Sequence, residues 1–261
     1  MTPPAPLPRS VQRALQTAPF AINDPAALRA QHKPQLRRYE VLSLRPGGGI
    51  AETCHVAPAL QLFEDAFCAF SRGSMVETET GLVAVEDLLP GDRIITGDGT
   101  AQPLLWKGRT TLVPGRPGSQ GRNLRLTRIM ADSFGIQRPM SYVLAGPSAR
   151  LLNTPDHLRA QADGMRVLTP VQQFQDGMNV IETAPPTAVE LFHICLPRHA
   201  VIRVAGLEFE TYHPGPDALR TLSPAMRAVY LNLFPHIDQC ADFGDLAHAR
   251  AGDGPMDARD T

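Results

Sequence analysis

Ala69-Phe70-Ser71-Arg72-Gly73-Ser74-Met75-Val76-Glu77-Thr78-Glu79-Thr80-Gly81, then Val83-Ala84-Val85-Glu86-Asp87-Leu88-Leu89-Pro90-Gly91-Asp92-Arg93-Ile94-Ile95-Thr96, then Pro103-Leu104-Leu105-Trp106-Lys107-Gly108, decide how this chain reads. Their apolar residues come in short runs: Met75 to Thr78, Leu82 to Val85, Asp92 to Thr96 and Leu104 to Lys107. Such runs are too short for helices, and turn-forming Gly, Pro and Asp separate them, which predicts strands joined by tight turns.

The pattern extends in both directions. Downstream, strand-like runs recur at Leu126 to Ala131, Tyr142 to Leu144, Ala149 to Leu152, Met165 to Pro170, Asn179 to Glu182, Glu190 to Leu196 and Ala200 to Glu210. Many short strands at this spacing predict an all-β domain. Upstream, Tyr39 to Leu44 and Ile50 to Val56 flank Pro46-Gly47-Gly48-Gly49 and predict a β-hairpin. Ser223-Pro224 followed by Met226, Val229, Tyr230 and Leu233 predicts a helix over 224–234, with Ser as N-cap and Pro in the first turn. Asp24-Pro25 gives the same signal for a short helix over 25–32, and residues 1–8 are Pro-rich and read as disordered. The expected division is an N-terminal extension at 1–66 carrying the hairpin at 39–56, a main domain at 67–215, a helical segment at 216–248 and a loose polar tail at 249–261.

Bulk composition narrows the function classes. The 261 residues carry a formal net charge of −1, which gives no reason to expect nucleic acid or an anionic membrane as partner. No apolar run is long enough to span a bilayer. The start, Met1-Thr2-Pro3-Pro4, shows no cleavable signal peptide, so localisation defaults to the cytoplasm, with non-classical export left open. Cys54, Cys68, Cys195 and Cys240 are scattered, which argues for reduced, mostly buried thiols over a zinc knuckle or disulfide framework. His193, His199 and His213 fit no common metal spacing, and no cofactor or metal is expected. Arg122, Arg125 and Arg128 read as a solvated face.

The stretch 69–108 resembles the opening of a Hint domain, the autoprocessing module shared by Hedgehog proteins and inteins, in its bacterial form. That pattern runs Cys-Phe-x-x-Gly-Thr, then Val-Glu-Asp-Leu-x-Pro-Gly-Asp, then Ile-x-Trp-x-Gly. Phe192-His193-Ile194, His199 to Ile202, Ala205-Gly206-Leu207 and Glu210-Thr211-Tyr212 resemble the family's closing block, with Ala205 at a usual Asn and Thr211 at a usual Ser. Together the resemblance covers about 69–215. It implies an all-β Hint-like fold with the first and last blocks side by side and Leu104 and Trp106 in the core. No terminal His-Asn of the intein kind follows, so release of a C-terminal segment by Asn cyclisation is not implied.

The family's chemistry is an acyl shift. The first residue of the domain attacks the carbonyl just before it, and an acid protonates the departing amide nitrogen. The resemblance puts Ala69 at the nucleophile, and alanine has no lone pair to attack with. For the internal acid block, roughly Leu-x-Val-Ser-Pro-x-His-Arg-x-Leu, two segments compete. Val143 to Leu152 keeps the Pro, the Arg and the apolar frame, with Gly146 for Ser and Ala149 for His. Asn153 to Arg159 keeps Thr154 and His157 but lacks the preceding apolar run. On the first alignment both nucleophile and acid are lost, and the domain is a degenerate scaffold or binding module for an unidentified protein partner, not an enzyme. On the alternative, Cys68 or Ser71 attacks with His157 as acid, and the domain cleaves itself through a (thio)ester.

Overall fold

Leu89 to Asp92 show how the sequence sets the local structure. Pro90 and Gly91, the latter at φ 104°, occupy the centre of a turn closed by Asp92 N–H to the Leu89 carbonyl at 3.0 Å. The Asp92 carboxylate accepts the Leu89 N–H at 2.8 Å. Pro fixes φ at the second turn position and Gly tolerates positive φ at the third. Just upstream, the buried Lys107 ammonium donates to the carbonyls of Val85 (3.2 Å), Glu86 (2.6 Å) and Leu88 (2.5 Å). The Val-Glu-Asp-Leu-x-Pro-Gly-Asp motif is thus a loop whose carbonyls a cation from the Trp106-Lys107-Gly108 strand satisfies.

The computed structural model describes residues 35–113, 125–160 and 162–251. The expected helix at 25–32, the Pro-rich start and Arg122 lie outside the described residues. From Leu36 onward the chain forms one unit. Its elements are β1 (Leu36–Leu44), β2 (Ile50–Pro58), α1 (Gln61–Asp65), β3 (Phe70–Ser71), β4 (Met75–Thr78), β5 (Gly81–Ala84), β6 (Arg93–Ile95), β7 (Ala101–Pro103) and β8 (Trp106–Leu112). There follow β9 (Leu126–Ile129), β10 (Val143–Ala145), β11 (Arg150–Leu152), β12 (Leu168–Pro170), β13 (Val180–Thr183), β14 (Val189–Cys195), β15 (Val201–Val204), β16 (Leu207–Glu210) and α2 (Pro224–Leu231).

Two sheets carry the fold. The first runs β13-β9-β10-β3-β14-β8-β1-β2, the second β12-β11-β16-β15-β4-β6-β7 with β5 on β4. The first and last sequence blocks lie side by side, β3 against β14 with Phe70 opposite Phe192, and β4 against β15. The hairpin forms with Leu44 opposite Ile50, and β1 also pairs with β8, so the hairpin extends the first sheet. The predicted run Ala200 to Glu210 breaks at Ala205-Gly206, a two-residue turn with both φ angles positive. Leu104 ends the short run after β7, and the strand containing Trp106 continues to Leu112.

Side chains alternate across β14 and thereby separate two cores. Phe192 and Ile194 join Phe70, Val76, Ile202 and Phe209 in one apolar cluster. Leu191 and Cys195 join the other, with Tyr39, Phe67 and Trp106, under α1 and the helix at the C-terminal end. Leu104 and Trp106 are fully buried. The Trp106 indole N–H donates to the Leu233 carbonyl at 2.7 Å, satisfying its polar edge. Ser223 caps α2 through its side chain, as its sequence requires.

The structure adds one element and corrects two expectations. The linker after the hairpin contains a helical turn, α1, which its apolar residues dock against Tyr230. Residues 249–251, expected to be loose, are held in the fold. Leu168 N–H donates to Ala249 O at 2.8 Å, Ala251 N–H donates to Leu168 O at 3.0 Å, and Arg250 is buried between them. Cys54 is exposed on β2, although Cys68 and Cys195 are buried thiols. Arg125 pairs with Glu182 and Arg128 covers the Tyr142 ring. Among the described residues no helix is long and apolar enough to cross a membrane.

Candidate functional site

The peptide joining Cys68 to Ala69 sits at the centre of the first sheet, where short β3 is held between β10 and β14. Two backbone hydrogen bonds grip it and a third holds the next peptide, 69–70. Ala69 N–H donates to Phe192 O at 3.0 Å, Gly146 N–H donates to Ala69 O at 2.8 Å, and Ser148 N–H donates to Cys68 O at 3.2 Å. The Cys68 carbonyl rests directly on Gly146. A Cβ there would lie 1.9 Å from the carbonyl oxygen and 2.6 Å from its carbon. Glycine at 146 is therefore a steric condition, and the Ser of the family pattern would not fit this arrangement.

Ala69 and Ala149 are both buried in the same apolar cluster. The Gly146-to-Ala149 turn, closed by Ala149 N–H to Gly146 O at 3.2 Å, brings its backbone to the 68–69 peptide. Cys68 belongs to the opposite cluster, and burial, with Glu64 adding to it, pushes its thiol well above the ordinary range. Ser71, the other alternative nucleophile, ends β3 and is buried.

Thr154 and His157 are engaged elsewhere. The Thr154 hydroxyl donates to Met165 O at 2.8 Å and accepts from Val167 N–H at 3.2 Å, closing its own loop. His157 is exposed on a 3-10 turn, 3.2 Å from Gln173 Oε1. Neither side chain hydrogen-bonds to residues 67–71.

His193 does reach the site. Its ring lies edge-on to Phe70 at 5.5 Å and to Tyr212 at 5.2 Å. Its Nδ1 accepts the Ile194 N–H at 3.1 Å, which puts the ring proton on Nε2. Burial lowers its pKa to about 3, so it is neutral at physiological pH. His199 Nδ1 accepts from Ala247 N–H at 3.0 Å, and its Nε2 lies 3.4 Å from Glu210 Oε2. His213, stacked edge-on to His199 at 5.4 Å, has its pKa lowered to about 4 by burial. Among the described residues no group of His, Cys, Asp or Glu could hold a metal ion.

Sequence reading missed a charged cluster beside this peptide. Buried Glu210 forms an ion pair with Arg150 Nε at 3.2 Å and accepts from Arg250 Nε at 3.1 Å, and Arg250 Nη2 donates to His213 O at 2.7 Å. With Asp65, Ser148, His193 and Gln172 these residues line a cleft of about 340 Å³. Burial, against the pull of Arg150, raises the Asp65 carboxyl to about 7. Residues 65, 150, 210 and 250 come from four distant segments, so no spacing signal could have joined them. The Arg150 of the internal block was the one visible hint.

Comparisons with known proteins returned several solved structures and one family model. A bacterial intein-like domain from Clostridium thermocellum is 12% identical, with a TM-score of 0.39, over 56% of this chain and 99% of that one. A splice-inactive AceL NrdHF class 3 split intein is 11% identical, with a TM-score of 0.37, over 55% of this chain and 96% of that one. The MchDnaB-1 intein, in an N145AA form, is 13% identical, with a TM-score of 0.33, over 55% and 98%. No match was found among curated proteins. The family model for the Hint domain matches residues 68–216, more than half of the chain, and the chain belongs to the Hint domain family.

Proposed function

We propose that this Hint domain no longer cleaves its own chain and serves as a scaffold that binds a partner. One observation carries the reading: the chain on both sides of the 68–69 peptide is built into the same fold. Upstream of the bond, Tyr39 and Phe67 rings meet at 4.5 Å, and Phe67 meets Trp106, downstream of it, at 5.3 Å. Strand β1 pairs with β8 from Tyr39 opposite Thr110 to Ser43 opposite Trp106. Breaking the bond would free no separable segment among the described residues.

The side chains support the same reading. Ala69 supplies no nucleophile and Ala149 no proton, so both steps of the acyl shift lack their reagent. The alternative nucleophile, Cys68, is buried with its thiol pKa raised, which disfavours the reactive thiolate. Its proposed acid, His157, is exposed and bonded to Gln173. What persists is the backbone apparatus, with the Ser148 N–H on the Cys68 carbonyl where an oxyanion would develop. Intact-mass analysis of the purified protein, with and without dithiothreitol or hydroxylamine, tests this. One unchanged mass is expected. Fragments ending at residue 67, 68 or 70 would restore the self-cleaving reading.

A further inference from the structure

We infer that the cleft beside the Cys68–Ala69 peptide, lined by Arg150, Arg250, Asp65, His193 and Ser148, binds a carboxylate group. The inference rests on the reading of the domain as a non-cleaving scaffold. It starts from an imbalance of hydrogen-bonding groups. Glu210 pairs with both guanidinium groups, and each approaches that carboxylate only through its Nε. Arg250 spends Nη2 on the His213 carbonyl. Among the described residues the Arg150 terminal nitrogens make no hydrogen bond, although Arg150 lines the cleft. The Ser148 hydroxyl oxygen is buried with no partner. A buried polar group without a partner is costly, and in native structures it calls for a ligand or water.

The charges select the kind of ligand. Two guanidinium groups face one ionised carboxylate, Glu210. Asp65 keeps its proton up to about pH 7 because burial raises it. His193 and His213 are neutral, with pKa values near 3 and 4 by burial. The cleft thus carries one uncompensated positive charge, and its free groups are predominantly donors. A monoanion with two acceptor oxygens in a plane matches the open edge of Arg150, the fork geometry that guanidinium presents to a carboxylate. A phosphate dianion would bring a second negative charge against Glu210. A volume of about 340 Å³ accommodates a small organic acid or the last residue of a peptide.

The test uses the full-length protein, isotopically labelled, at about pH 6, where Asp65 holds its proton. Four probes are titrated: N-acetylglycine, N-acetylglycinamide, and the peptide Ala-Ala-Ala-Gly with a free or an amidated C-terminus. The Arg150 Nε–H and His193 ring resonances are followed. Both acids should give saturable shifts at these residues, and each amide should bind at least about tenfold more weakly. A tighter peptide acid identifies a polypeptide C-terminus as the source, and a tighter N-acetylglycine identifies a free small acid. The Arg150→Lys variant keeps a cation beside Glu210 but loses the fork, and should weaken acid binding by about tenfold with an unchanged melting temperature. Absence of saturable shifts with either acid, or equal affinity for acid and amide, would overturn the inference. Intact mass recorded on the same samples scores self-cleavage separately, so failure of the scaffold reading is distinguishable from failure of the carboxylate site.

Discussion

Gly146 and Ala205 are two small residues that stand where the family pattern has larger polar ones, and the structure gives them opposite energetic signs. At 146 the Cys68 carbonyl occupies the space of a side chain. Gly146→Ser, which restores the family residue, must push two backbones apart, and is expected to cost about 2–4 kcal/mol in urea unfolding, the range of severe steric strain. At 205 the φ of 50° is one that alanine adopts at a penalty, in a two-residue hairpin turn that favours Asn-Gly. Ala205→Asn should therefore stabilise by about 0.5–1 kcal/mol, read as a melting temperature raised by about 1–4 °C. The sequence showed both departures but not their meaning, since only the fold reveals what stands over a missing Cβ. Buried histidines set the acid response. His193 and His213 have folded pKa values near 3 and 4, below the unfolded value of about 6.5. The unfolded state then binds more protons, so their contribution is complete above about pH 6.5 and is lost as pH falls toward 4. Asp65, raised to about 7, acts in the opposite sense over the same window. The informative quantity is thus a difference: His193→Gln should flatten the fall in stability between about pH 6.5 and 4 relative to the parent protein.

Among the elements, β8 joins the hairpin strand β1 to β14 within the first sheet. Its Trp106, Lys107 and Gly108 each answer a different demand. Trp106 stacks on Phe234 at 4.8 Å and binds the Leu233 carbonyl, Lys107 satisfies three loop carbonyls, and Gly108 leaves room for both Trp106 and Phe67. A Cβ at Gly108 would come within 2.2 Å of the indole and 2.5 Å of the Phe67 ring. Lys107→Met should leave buried carbonyls without a donor and cost about 3 kcal/mol in equilibrium unfolding. A Lys107→Met variant as stable as the parent would mean that the loop rearranges to use water. The strands, the hairpin and α2 were legible because their signals are local: alternation, turn residues and an N-cap. The short helix α1 was not, since five residues carry too little periodicity and form only where Phe63 docks against Tyr230. The attachment of Arg250 was equally hidden, because it depends on Glu210 forty residues earlier.

At the scale of the whole molecule, the 36–67 segment and the Hint domain proper share one sheet and one aromatic core, which links fold to function. The sequence displayed the family and an alanine, Ala69, where the family pattern has its nucleophile. It left the internal block divided between Ala149 and His157, because both segments keep a proline and lie within ten residues of each other. Backbone hydrogen bonds from Ser148 to the Cys68 carbonyl and from Gly146 to the Ala69 carbonyl favour Ala149 as the acid position, while the charged cleft beside it emerged only in three dimensions. The central claim is that nucleophile and acid are both lost and that the losses act in series. An intermediate formed without an acid collapses back to the amide. The decisive measurement is an intact-mass time course in dithiothreitol for Ala69→Cys and for Ala69→Cys combined with Ala149→His. The single variant is expected to stay essentially intact and the double variant to cleave about 10²–10⁴-fold faster, the range of general acid catalysis. Rapid scission of the Ala69→Cys single variant would contradict it, since an acid other than residue 149 would then already be in place.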